Sequence, residues 1–217
     1  MQRLRRLIRA RSDAGLTLSE VIVAMMITSL VLAIMGGFFA NMTRAITVGR
    51  TTRAATSAAS TAVDELGKVI RAAANVTVAS GSSPAIAVGS TGTHLVVLAY
   101  VDTSSASPAP SQIDFTVNAA GDLVEQRTSG VPVSNYWSFT GASTTRTYPG
   151  PFSASPSLFA YMSGTDVLPL GASGLTSAQV SSISAVAITA TIANQGRAGS
   201  DPVQITTTAV MPNLGLF

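Results

Sequence analysis

The sequence predicts an α+β fold, one long N-terminal α-helix packed on an antiparallel β-sheet head, and three observations predict it. Val21 to Ala40 is a run of 20 residues without a charge. Small and apolar residues then recur at three- and four-residue steps (Ala55, Ala59, Ala62, Leu66, Val69, Ile70, Ala73), the stripe of an amphipathic helix. After Asn75 the pattern changes to runs that alternate with period two and are separated by turn residues. The helix stripe and the alternating strands each lack a core without the other, which makes them partners.

Residues 1–15 form a basic leader. Five of the 13 basic residues (Arg3, Arg5, Arg6, Arg9, Arg11) lie there, with only Asp13 against them. From Leu16 onward 8 basic residues face 9 acidic ones, so the net charge of +3 belongs to the leader and not to a nucleic-acid-binding face. Residues 16–40 form the first half of the helix. Twenty residues at about 1.5 Å each suffice to cross a bilayer core of roughly 30 Å. Arginines before the span keep the N-terminus cytoplasmic and put the C-terminal body outside. A secretory signal has a shorter apolar core and a small-residue cleavage site after it, which this run does not match.

Glu20 is the one charge at the start of this apolar stretch. Thr17-x-x-Glu20 fits a capping box, in which each of the two residues satisfies the other's backbone N–H, with Leu16 and Val21 as the hydrophobic staple. That reading explains a helix start but not Gly15 or the leader. "GLTLSEV" (Gly15 to Val21), after a basic leader and before about 20 apolar residues, resembles the type III signal of type IV pilins and type II secretion pseudopilins. The resemblance implies that a prepilin peptidase cuts between Gly15 and Leu16 and that Leu16, the new N-terminus, is N-methylated. It also implies that Glu20 forms an assembly salt bridge. A free amine at Leu16 carries a positive charge at neutral pH. Held in a bilayer, such a charge costs roughly 2.5–3.5 kcal/mol unless paired, so Glu20 of one subunit and the amine of the next neutralise each other. Leu16 stands where the family most often has phenylalanine, and Ser19 where it often has an apolar residue.

Residues 41–75 are the amphipathic half of the helix. Asp64 and Glu65 precede Lys68 at helical spacing and read as exposed-face pairing. Gly36 and Gly37 are the helix's weak point, since each glycine costs about 1 kcal/mol relative to alanine. They serve either close helix packing in the membrane or, by the resemblance, a melting point where many pilins carry a proline. Arg44, Arg50 and Arg53 have no aromatic residues interleaved for stacking on bases, so a solvated or headgroup-contacting face is expected and nucleic acid is not.

Residues 76–217 form the β-rich head. His94 to Val101 is nearly continuous apolar and reads as a central strand covered on both faces. Gln112 to Gln126 reads as a hairpin, with Ile113, Phe115 and Val117 alternating before Asn-Ala-Ala-Gly-Asp, then Leu123 and Val124. Ser184 to Ala193, with Val186, Ile188, Ala190 and Ile192 on one face, pairs with Pro202 to Val210 as a second hairpin. Residues 128–157 read as a long central loop with four prolines. Seven of the 12 aromatic residues fall within Tyr136 to Tyr161, either as a small satellite core or as a contact surface. Asp114, Asp122 and Glu125 read as a solvated face and not a calcium site, and His94 as a structural position.

The chain has no cysteine and one histidine, which excludes disulfides and thiol catalysis and leaves little for metal or acid–base chemistry. No phosphate loop, nucleophile elbow or zinc helix motif is present. No cofactor, no metal and no enzymatic activity are expected. The resemblance implies a structural subunit of a type IV pilus or type II secretion pseudopilus. The size and the central loop favour a minor pilin or J-type pseudopilin. Its implied partners are prepilin peptidase, other pilin or pseudopilin subunits, the inner-membrane assembly platform and membrane lipid. It would be a single-pass cytoplasmic membrane protein first and part of an extracellular or periplasmic filament later. The alternatives are a signal-anchored extracellular protein and a filament-tip adhesin or DNA receptor.

Overall fold

In a computed structural model the described residues are 17–102, 108–150, 152–153, 155–192 and 202–215. The fold is α+β. Helix α1 (Leu18–Arg71) is followed by twelve short strands and one short helix among the described residues. By its internal contacts the chain divides into two units, Met1–Gly49 and Arg50–Phe217.

The described part of the first unit is helix alone. Apart from the half-buried Val21, its large apolar side chains are exposed from Leu18 through Ile46, Phe38 and Phe39 among them. Thr28 Oγ1 donates to Ala24 O at 2.7 Å and Ser29 Oγ to Met26 O at 2.9 Å, which hides both hydroxyls on an otherwise apolar surface. By length and composition this helix is long and apolar enough to cross a membrane.

The second unit holds the core. The stripe foreseen on α1 is buried at Ala59, Ala62, Leu66, Val69, Ile70 and Ala73, with Ala55 packed against the same cluster. The helix ends at Arg71, a few residues earlier than its apolar pattern. There Ala74 N donates to Leu98 O and Tyr100 N to Ala72 O, so a neighbouring strand takes the backbone groups a further turn would have used. Strands β1 (Val76–Val78) and β2 (Gly81–Ser83) form a small hairpin.

Strands β3 (His94–Ala99), β4 (Ser111–Val117) and β5 (Leu123–Ser129) are antiparallel neighbours. The expected first hairpin is β4–β5, in register Val117↔Leu123, with Ile113, Phe115 and Leu123 fully buried. Asn118 Oδ1 accepts from Ala120 N and Asp122 N and builds the connecting turn. His94 to Val101 is not central in the sheet: β3 is an outer strand in the order β3-β4-β5-β8. Its apolar character has another cause. Residues 85–87 lie along its outer edge, where Leu98 N donates to Ala85 O and Ala87 N to Val96 O, so the edge is covered although no regular strand covers it.

The expected loop 128–157 contains strands β6 (Val131–Val133), β7 (Tyr136–Ser138) and β8 (Ser143–Tyr148). The first two pair with each other, and β8 completes the four-stranded sheet beside β5. From Ser143 to Thr147 β8 is exposed on both faces, so it lacks the apolar alternation by which a strand is recognised. The aromatic cluster divides. Tyr148, Phe152, Phe159 and Tyr161 join the main core, while Tyr136, Trp137 and Phe139 stay half-buried.

A second sheet has the order β10-β9-β11-β12, with β9 (Phe159–Ser163), β10 (Asp166–Val167), β11 (Ala185–Ile192) and β12 (Val203–Val210). The expected second hairpin is β11–β12 in register Ile192↔Val203, with Val186, Ile188, Ala190 and Ile192 buried. The turn expected between them, from Asn194 to Asp201, lies outside the described residues. Helix α2 (Ser177–Val180) leads into β11, capped by Thr176, and Pro212–Gly215 forms a final 3-10 turn. Asn75 ties these parts together, its Oδ1 accepting from Ala85 N and its Nδ2 donating to Leu214 O.

Candidate functional site

The described part of the segment that carries the motif begins at Thr17, just before α1. Thr17 N donates to Glu20 Oε2 at 3.1 Å and Glu20 N to Thr17 Oγ1 at 3.4 Å, the reciprocal pair of a capping box. Thr17 Oγ1 also donates to Glu20 Oε2 at 2.9 Å. All these contacts use one carboxylate oxygen. Oε1 takes no hydrogen bond among the described residues, and the Glu20 side chain is exposed. Among the described residues the cap uses one oxygen of the carboxylate and nothing uses the other. Gly15 and Leu16, named for cleavage and methylation, lie outside the described residues, as does the basic leader. Gly36 and Gly37 sit within the uninterrupted helix, and a Cβ at either position would meet nothing within 4 Å. Packing within the single chain does not require glycine there.

The head holds a charged network that sequence reading placed differently. Glu125, expected on a solvated face, has a side chain only 5% exposed. Arg127 Nη2 donates to Glu125 Oε1 at 2.7 Å and to Glu65 Oε1 of α1 at 3.2 Å. The Tyr148 hydroxyl donates to Glu125 Oε2 at 2.8 Å. Arg146 lies over the Tyr148 ring, with Cζ 4.9 Å from its centroid. Glu65 is thus half-buried against the sheet, and its contact with Lys68, at 3.8 Å, is the looser of its two. The signal was present in the sequence. Leu123, Glu125 and Arg127 alternate on one face, so a core-facing leucine placed both charges toward the helix. A guanidinium between two carboxylates pairs both, and one of them, Glu125, is nearly dry.

Asp114 and Asp122 are not part of that network. Asp114 Oδ1 is 3.0 Å from His94 Nε2 and also accepts from Thr116 Oγ1, on the partly exposed face opposite Ile113 and Phe115. Asp122 Oδ1 accepts from Gly150 N at 2.8 Å and holds a turn. Among the described residues no group of three or more His, Asp or Glu side chains is arranged to hold a metal ion.

Burial pushes the phenol of Tyr148 above the usual tyrosine range, with the Glu125 carboxylate adding to the effect. Burial alone does the same for Tyr161, whose hydroxyl donates to Thr91 O at 2.8 Å. An unfolded tyrosine ionises near pH 10. Both groups are held protonated to higher pH in the folded chain. The stability they contribute is therefore complete below about pH 10 and is lost as pH rises through their folded-state ionisation. In an alkaline titration of the full chain, phenolate absorbance from these two tyrosines is expected only together with loss of the near-ultraviolet circular dichroism. Ionisation of every tyrosine near pH 10 with the fold intact would contradict this.

No curated protein and no solved structure matches the chain. The family model described as the prokaryotic N-terminal methylation motif matches residues 10–36. The matched residues run from the basic leader through the capped helix start and into the apolar helix, up to Gly36. The chain thus carries a prokaryotic N-terminal methylation motif joined to a membrane-length helix, a combination that supports a membrane-anchored precursor of the pilin or pseudopilin type.

Proposed function

We propose that the chain is a minor pilin-like structural subunit. Prepilin peptidase cuts it between Gly15 and Leu16, Leu16 is N-methylated, and the product enters or primes a type IV pilus or type II secretion pseudopilus. The observation that carries this reading is the methylation motif at residues 10–36. Before processing the helix anchors the chain in the cytoplasmic membrane, with the leader inside and the head outside. In the filament the exposed apolar surface of residues 18–46 packs against the same surface of other subunits, since among the described residues nothing covers it. Gly36 and Gly37 give that packed helix a place to bend or melt, as glycine lowers helix propensity. The role is structural and not catalytic, and the assembly platform and neighbouring subunits are its working partners.

The test is the processing site. In cells containing prepilin peptidase, Gly15→Val is expected to leave essentially all of the protein as full-length precursor on a gel. The unchanged chain should shift to the size that begins at Leu16, with a methylated N-terminus by mass spectrometry. Processing of the variant at the unchanged rate would contradict the proposed site. A chain that stays uncleaved and apart from filaments would be a signal-anchored protein instead.

A further inference from the structure

Strand β8 ends its sheet, and among the described residues no strand pairs with its other edge. It is exposed on both faces from Ser143 to Thr147 and presents a row of open backbone groups. Beside it, between this edge and α1, lies a polar groove of about 480 Å³ lined by Glu65, Lys68, Glu125, Arg127, Thr144, Thr145 and Arg146. Register places Arg146 opposite Glu125 and Thr144 opposite Arg127, so both β8 side chains share the face that carries the network.

The charges of the groove do not balance. Arg127 is committed to Glu65 and Glu125, and Tyr148 takes the remaining oxygen of Glu125. Lys68, 73% exposed and 3.8 Å from a carboxylate already paired elsewhere, and the exposed Arg146 remain. Three cations against two carboxylates leave one positive charge in a groove that adjoins an open strand edge. A strand laid along that edge sends alternate side chains to the groove face. Backbone pairing supplies affinity in such additions, and the pockets for alternate side chains supply selectivity. The other long edge, β12, has eight residues without a charge and offers no such selection.

We infer that the β8 edge and its groove form a docking site for an extended acidic protein segment. The segment adds a fifth strand to the β3-β4-β5-β8 sheet and directs one carboxylate toward Lys68 and Arg146. The inference stands apart from the processing reading, because binding is measured on the chain whether or not the leader has been removed.

The probe is a fluorescein-labelled peptide, Thr-Val-Thr-Glu-Thr-Val-Thr, titrated against the full chain in detergent at low salt. It is expected to bind at least tenfold more tightly than the same peptide with Lys in place of Glu, and a form with proline at alternate positions should not bind. Lys68→Ala with Arg146→Ala should abolish the preference for Glu while leaving the thermal midpoint of the chain within a few degrees. Equal binding of the Glu and Lys peptides, or no binding at millimolar peptide, overturns the proposal. Location is read by cross-linking, because the chain contains no cysteine of its own. Thr145→Cys on β8 should capture a cysteine-bearing Glu peptide, and Gln204→Cys on β12 should not. Capture at β12 alone overturns the site. Disulfide dimers of the Thr145→Cys chain in place of the peptide adduct assign the edge to a second copy and overturn the acidic segment.

Discussion

Glu20→Ala is expected to leave membrane insertion and processing intact and to lower incorporation into filaments by about tenfold or more. In the proposed pairing, removing the carboxylate would leave the amine of the adjacent subunit unpaired in the apolar interior, at a cost of roughly 2.5–3.5 kcal/mol on insertion scales. The half of the capping box that the Glu20 carboxylate supplies is lost in the same variant, while Thr17 Oγ1 still accepts from the backbone N–H of residue 20. Losing that half costs at most about the 1 kcal/mol of a whole N-cap and acts at a helix end, so alone it would not exclude the subunit. Glu20→Gln separates the two effects. The amide oxygen can still accept from Thr17 N, now 3.1 Å from Glu20 Oε2, but the charge is gone. Incorporation is read by shearing filaments from cells and immunoblotting. If Glu20→Gln assembles like the unchanged chain while Glu20→Ala does not, Glu20 is a cap and the pairing role is wrong. Normal incorporation of both variants would remove Glu20 from assembly altogether.

Arg127→Ala is expected to give the largest loss of stability of any exchange in the charged network of the head. The guanidinium is 30% exposed, but the carboxylate it holds at 2.7 Å is nearly dry. Without it Glu125 keeps only the Tyr148 hydroxyl, and Glu65 loses its shorter contact. Truncating one partner of a buried pair costs about 3–5 kcal/mol, because the other charge stays behind unpaired. Against a typical stability of about 5–15 kcal/mol this is a large share. For a domain of this size it lowers the melting midpoint by roughly 6–20 °C. Thermal or urea unfolding of the full chain in detergent reads the effect. Removing the stranded charge as well, in Glu125→Gln with Arg127→Ala, should recover a good part of it. Tyr148→Phe removes one hydrogen bond to a charge and should cost about 1.5–3 kcal/mol. A loss below about 1 kcal/mol for Arg127→Ala would mean that water reaches Glu125 and that the network is not buried in solution.

Much of the fold was legible because it is written in contiguous residues. The apolar run from Val21, the stripe ending at Ala73 and the alternation in the β4–β5 and β11–β12 hairpins are local periodicities. The capping box was legible as a spacing of Thr17 and Glu20, and the structure forms it in both directions. Strand β8 was not legible, since Ser-Thr-Thr-Arg-Thr carries no apolar face and becomes a strand only through its ladder with β5. Strand β3 looked central because its residues are buried, but burial came from residues 85–87 and the core and not from a second flanking strand.

The charged residues show the same division. Asp114 lies on the partly exposed face expected of it, paired with His94, because alternation with buried neighbours settles which way a strand side chain points. Glu125 was misplaced although the same rule applied to it, since Leu123 and Arg127 share its face. What that rule could not supply is the partner. Arg127 meets Glu65 from 62 residues away.

By itself the sequence determined a helix long and apolar enough for a membrane, the methylation motif at its start, two hairpins and the absence of thiol chemistry. Each of these depends on residue type and short-range spacing. Only the tertiary structure decided that the hairpins belong to two separate four-stranded sheets, that Arg127 joins Glu125 to Glu65 of α1, and that among the described residues β8 is left as an open edge beside a cationic groove. Those outcomes depend on which distant segments share a face. Short-range periodicity carries no record of that, because backbone pairing and charge pairing are satisfied by whatever the fold brings near.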